Sequence, residues 1–298
     1  MNADGVLAMF RSRIVLPAIV LSMAFGFAAC SSPSPELSPE PVDDLEPLPS
    51  PWPTTDLAVI RAQLLKELRP VTLKNCTLKR YGGPNDGGYL MCENLASDVQ
   101  SAYSYGIDTE DVWGCDVARQ FKVPIHQYDC FTPHRPGCNG GTLVFHDECV
   151  GHSRETMSGH AFDTIAAQIA KNGDKGKKLL MKIDIEGAEW DSLMATPDEV
   201  LDTFLQMPME LHGVNEPKFV EIVRRLKRRF HLVSLHFNNN ACGPGSAPLP
   251  AWAFQVLWVH KKVGVLDPGA ASPAPMSPLH GRDNPSAPDC QLPAAVSR

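Results

Sequence analysis

The chain has 298 residues, 43% hydrophobic and 20% charged, enough for one substantial buried core rather than two. A formal charge of −7 and a pI near 5.8 argue against nucleic-acid binding, which leaves a basic footprint. One dense basic run, 224-RRLKRR-229, has helical spacing and is expected as the solvated face of a helix rather than a phosphate site.

In chain order, Arg11 and Arg13 precede the apolar run 14–29, which Pro17 interrupts and Cys30 follows. A charged start, an apolar middle and a small-residue end make an export signal over 1–30. The run is short for a spanning helix, which needs about 20 apolar residues. The segment 27-FAAC-30 resembles the lipobox of bacterial lipoproteins, with Phe27 where Leu is commoner. That resemblance implies cleavage before Cys30, a lipid on its thiol, and an exported chain anchored in the cell envelope through the membrane. An ordinary signal peptide or an uncleaved anchor is the alternative.

Residues 31–53 are mostly Pro, Ser and acids and cannot bury a core, so they are expected as an extended tether. A folded domain is expected over 54–266, and 267–298, rich in Pro, Ala and Ser, as a disordered tail. Eight cysteines remain beyond Cys30, an even number that points to disulfides in an exported chain, with 105 connectivities possible. No CxxC spacing supports a structural zinc site.

Leu57, Ile60, Leu64, Leu65 and Leu68 recur at helical spacing between Asp56 as N-cap and Pro70 as stop. In 79–93 the Gly-Gly-Pro-Asn-Asp-Gly-Gly core must turn, and 89–92 re-enters as a strand. Strands are predicted over 101–107, 123–130, 142–148, 179–185, 204–213, 231–238 and 252–261. Helices are predicted over 110–121, 161–172, 187–195 and 216–230. Such alternation points to an α/β fold with a mostly parallel sheet, helices on both faces and an antiparallel pair at one edge.

Ligands of open α/β sheets bind at the carboxyl ends of the strands. Those ends carry Gly106 to Asp108, Asp129, Asp147 with Glu148, Asp184 with Glu186, Glu210 with His212, and His236 with Asn238. In 181-MKIDIEGAEW-190, Asp184 and Glu186 face the ligand side and Gly187 permits the turn. Glu189 falls in the first turn of the next helix, where an acid suits the positive end, and is expected to be structural. Glu210, His212 and His236 would join Asp184 or Glu186 in one carboxylate–imidazole cluster. Three readings stay open for it: a general base for a hydroxyl proton, a divalent metal held by Glu210, His212 and His236, or hydrogen bonds local to the strand ends.

The phrase 182-KIDIEGAEW-190, with 80-RYGGPNDGGYL-90, 103-YSYGID-108, 209-MELHG-213 and 234-SLHFNNNACG-243 in this order, resembles the FkbM-type methyltransferases. Within them it is most similar to the methyltransferase-like protein 24 family, over roughly 72–262. The resemblance implies a single class I, Rossmann-like domain with a seven-stranded mostly parallel sheet, and S-adenosylmethionine as cofactor. Asp129 would take the ribose hydroxyls, Gly106 the close approach, Asp108 the amine, and Asp147 or Glu148 the adenine amino group. Asp184, Glu186, His212 and His236 would be catalytic. One departure is that the first loop, 106-GIDTEDVWG-114, starts with a single Gly where many of that class have several. The implied activity is O-methyl transfer to a sugar, glycan or other small polar acceptor. The competing reading is a non-catalytic envelope lipoprotein that binds a glycan on the same scaffold. No G-x-S-x-G elbow suggests a hydrolase.

Overall fold

The computed structural model describes residues 55–132 and 134–292. The export signal, Cys30, the tether and residues 293–298 lie outside them. Asp56 accepts a hydrogen bond from the Ala58 N–H (2.9 Å) and opens α1 (Leu57–Glu67), which buries Ile60 and Leu64. Two antiparallel strands, β1 (Leu78–Gly82) and β2 (Gly88–Cys92), flank the glycine-rich turn. Then come β3 (Ser101–Tyr105), α2 (Val112–Phe121), β4 (Pro124–Tyr128) and β5 (Thr142–His146). A small sheet follows, built from β6 (Cys149–Val150), β7 (Glu155–Met157) and β8 (His160–Asp163), before α3 (Ile165–Lys171). The rest is β9 (Leu179–Ile183), α4 (Glu189–Ala195), α5 (Asp198–Leu201), β10 (Phe204–His212), α6 (Pro217–Arg229), β11 (Phe230–Phe237) and β12 (Ala253–His260).

The main sheet has seven strands in the order β11-β12-β10-β9-β3-β4-β5. From β10 through β5 the neighbours are parallel, while β12 runs antiparallel to both β10 and β11. The mixed α/β class, the mostly parallel sheet and the antiparallel edge pair are those expected. Strands β3 and β9 are buried along their whole length, as central parallel strands must be. Successive side chains enter different clusters: Tyr103 and Met181 pack with Leu64, Ile169, Trp190 and Phe219, whereas Ala102 and Leu180 pack with Trp113, Val117 and Tyr89. From β3 the chain steps outward to β4 and β5, then returns to β9 and β10 on the other side. The order therefore reverses between β3 and β9, and a crevice opens at their carboxyl ends.

Three expectations change. Residues 161–163 belong to β8, paired with β6 and β7, so the helix expected over 161–172 starts later, with Thr164 as its cap. The basic run does lie on α6, but it is ion-paired rather than simply solvated. Arg224 and Lys227 meet Glu67, and Arg225 and Arg229 meet Asp198, tying α6 to α1 and α5. The segment expected as a disordered tail is packed as far as residue 292. Met276 contacts the core, His280 and Asp283 are buried, and Cys290 is bonded to Cys242. Composition alone could not reveal this, because the partners of that segment lie on β1–β2, β11 and β12. The other cysteines pair as Cys76–Cys92, Cys115–Cys138 and Cys130–Cys149. Among the described residues, no helix is long and apolar enough to cross a membrane.

Candidate active site

Where β9 leaves the sheet, the chain turns through Glu186 (φ +57°) and Gly187 (φ +111°), both left-handed. Glycine takes that conformation freely; a glutamate must be held in it. Glu189 does the holding. Fully buried, its carboxylate accepts from the Ile185 N–H (2.7 Å) and the Gly187 N–H (3.0 Å). The same group faces His212 Nδ1 at 3.1 Å, at the end of β10. Glu189 was expected to be structural, and it is also the group that orients His212.

His212 is 8% exposed, and its Nε2 lies 3.6 Å from Glu186 Oε2 and 3.8 Å from Glu210 Oε1. Burial alone would lower its pKa, but the bond to Glu189 and the charges of Glu189, Glu210 and Asp184 outweigh that and raise it to about 9. At neutral pH the imidazole is therefore already protonated and is not a ready base.

Asp184 accepts the Tyr89 hydroxyl (2.8 Å) and lies 3.5 Å from the buried Lys182 ammonium. Lys182 donates to the carbonyls of Gly106 and Tyr105, joining the first loop to β9. Gly106 (φ +71°) sits against the Asp184 backbone so closely that a Cβ would fall 1.7 Å from its carbonyl oxygen. That strand-to-strand contact, not only room for a ligand, requires glycine.

Asp129 ends β4 with both oxygens engaged. Oδ2 accepts from the N–H groups of Ile107 (3.1 Å) and Asp108 (3.2 Å), and Oδ1 from those of Phe131 (2.9 Å) and Thr132 (3.0 Å). Four donors match the roughly four acceptor sites of a carboxylate. Asp129 is thus the clamp on two loops, a role its place at a strand end did not reveal.

Between these loops lies a cavity of about 350 Å³. Gly106, Asp108, Asp129, Asp184 and Glu186 line it from the strand ends, together with Phe131, Phe162 and the Cys130–Cys149 disulfide. Phe131 is 72% exposed, and its ring lies 4.6 Å from that of His160.

Other expected residues fall elsewhere. Asp147 is exposed and does not line the cavity, while Glu148 turns to α3 and pairs with Lys171 (2.6 Å) and Gln168 (3.2 Å). Their strand, β5, is the edge of the sheet, so its end misses the crevice. Of the cluster expected from Asp184, Glu186, Glu210, His212 and His236, the first four come together, with Glu210 Oε1 3.8 Å from His212 Nε2. Asp184, Glu186 and His212 each offer one atom within 4.8 Å of the others, and so, separately, do Asp86, Glu210 and Asp283. His236 offers no atom to either set of three; it bonds Asp283 (3.0 Å) and stacks on His280. Glu210 accepts from Asn238 (2.7 Å) and Gln255 (3.1 Å), and burial, then the charge of Asp184, pushes it up to about 8. Sequence reasoning missed Asp86, Tyr89, Phe131, Phe162, Lys182 and Asp283. Asp86 and Tyr89 lie in the glycine-rich turn already singled out, and Lys182 lies in the KIDIEGAEW motif itself. Asp283 gave no signal.

No protein-family model matches the chain, and no curated protein matches it. A solved structure from Listeria monocytogenes, described as a "putative class I S-adenosylmethionine-dependent methyltransferase", is similar at 9% identity with a TM-score of 0.29. The match covers 64% of this chain and 61% of that one, so the chain spans less than two thirds of its neighbour. At that distance the likeness carries no residue roles, and the chemistry rests on the geometry described above.

Proposed function

We propose that the protein is an S-adenosylmethionine-dependent methyltransferase of the FkbM type, nearest the methyltransferase-like protein 24 family. Its fold would be a single domain with helices on both sheet faces, moving a methyl to an oxygen of a sugar or other small polar acceptor. The observation that carries this reading is the cavity at the β3/β9 reversal, lined by acids and by two aromatic rings. S-adenosylmethionine has a sulfonium and an ammonium, which Asp108, Asp184 and Glu186 suit by charge, and a flat adenine, which Phe131 and Phe162 suit by shape. In the transfer, the acceptor oxygen attacks the methyl carbon, the C–S bond breaks, and its electron pair stays on sulfur. The hydroxyl proton passes to Asp184 or Glu186, the carboxylates at the end of β9 that line the cavity. The chain would work while held in the envelope through a lipidated Cys30.

One observation favours the second reading, a non-catalytic binding module: the four backbone donors on Asp129 leave little acceptor capacity for ribose hydroxyls. Calorimetry of the full chain with S-adenosylmethionine and with its demethylated product separates the two. We expect saturable binding of both, weakened about 3- to 10-fold in Phe131→Ala, the loss of one stacking contact. Phe131 is exposed, so the variant keeps its fold. No heat from either compound, with the domain folded by circular dichroism, sinks the methyltransferase reading.

A further inference from the structure

The acids at the end of β9 do more than border the cavity. With His212 they converge from two strands on one point, each side chain offering a ligand atom within 4.8 Å of the other two. The set is one imidazole nitrogen and two carboxylate oxygens. First-row divalent cations take such mixed nitrogen–oxygen sets, at bonds of about 2.0–2.2 Å.

An independent observation lies in His212 itself. The side chain is 8% exposed, and its Nε2 points into the group, 3.6 Å from Glu186 Oε2 and 3.8 Å from Glu210 Oε1. Its other nitrogen, Nδ1, is held by the fully buried Glu189 (3.1 Å). A carboxylate on one ring nitrogen, with the other facing the ligand group, is the arrangement found behind metal-ligating histidines, and a cation bound there would displace the Nε2 proton. The second acid group, Asp86, Glu210 and Asp283, differs. Both oxygens of Glu210 and both of Asp283 are in hydrogen bonds, with Asn238, Gln255 and His236, whereas Tyr89 and Lys182 both meet the same oxygen of Asp184, Oδ2.

We infer that Asp184, Glu186 and His212 form a binding site for a first-row divalent cation, with Glu189 as the residue that positions His212. Three protein ligands leave coordination positions open, and these suit paired oxygens such as a vicinal diol or a carboxylate. Because Asp184 and Glu186 also line the cavity, the cation would hold an acceptor oxygen beside the methyl donor. That last step rests on the methyltransferase reading; the cation site does not.

The test uses the metal alone. Mn2+ is titrated into the full chain and followed by calorimetry and by the loss of its free electron-spin signal. We expect one saturable site, competed by Zn2+ but not by Ca2+, which prefers six to eight oxygens. Glu186→Gln should weaken Mn2+ at least 10-fold; that side chain is 84% exposed, so the variant folds. His212→Ala should abolish binding, and Glu189→Gln should weaken it 10- to 100-fold while leaving the stoichiometry unchanged. Failure to bind Mn2+ or Zn2+, or binding untouched by Glu186→Gln, overturns the inference. Calorimetry with S-adenosylmethionine on the same metal-free protein reports separately, so either reading can fail while the other stands.

Discussion

His280 offers a measurable handle on the segment that follows β12. It is buried at 3% exposure, its ring stacks on His236 at 4.6 Å, and one nitrogen lies 2.5 Å from the Ser234 hydroxyl while Nδ1 has no partner among the described residues. Burial first, then His236 and Arg80, depress its pKa from 6.5 to about 2. The unfolded chain therefore takes up a proton below about pH 6.5 that the folded chain refuses. The stability from a neutral His280 is fully present above pH 6.5 and is lost as pH falls toward 2. Each unit below 6.5 costs about 1.4 kcal/mol, which makes about 3 kcal/mol by pH 4. His280→Gln removes the titration and keeps a polar group near Ser234. At pH 7.5 the variant should be less stable by about 1 kcal/mol, for the lost ring stacking. By pH 4 it should be the more stable protein by about 2 kcal/mol. Urea unfolding of both proteins at pH 7.5, 6, 5 and 4 measures the gap. A gap that stays constant across that range would refute the reasoning, because it would mean that His280 is not held neutral by its surroundings.

Two further outcomes follow from features already described. Gly106→Ala places a Cβ against the Asp184 carbonyl in a left-handed conformation, and neither strand end can easily give. Urea unfolding should show a loss of about 2–5 kcal/mol, and a loss under about 0.5 kcal/mol would show that the β3–β9 contact is looser than described. Cys30→Ala, expressed in a bacterial host, should move the protein out of the membrane fraction; unchanged membrane association would rule out the lipid anchor.

Much of the frame was legible because it depends on short-range pattern. Buried strands such as 179–183 read as apolar runs, α6 as a helical stripe, and Gly187 as the turn that Asp184 and Glu186 straddle. What was illegible depended on which way a strand end faces, or on partners distant in sequence. Asp147 and Glu148 satisfied the strand-end rule, yet their strand is the sheet edge and Lys171 draws Glu148 away. Asp129 lines the cavity, but no local signal says that four backbone N–H groups will converge on it. Asp283 sits in a Pro-rich stretch that reads as disordered until Cys242, His236 and Gln255 supply its context.

The Cys130–Cys149 bond has a consequence for the order in which the site matures. Both sulfurs belong to the wall of the cavity, one just past β4 and the other at the start of β6. A newly made chain with reduced thiols can pair its central strands, since β3, β4 and β9 carry no cysteine. Its cavity would still lack the cross-link that ties the segment after β4 to β6. The wall of the cavity is therefore completed by oxidation, after the central strands have paired, and only where thiols are not kept reduced.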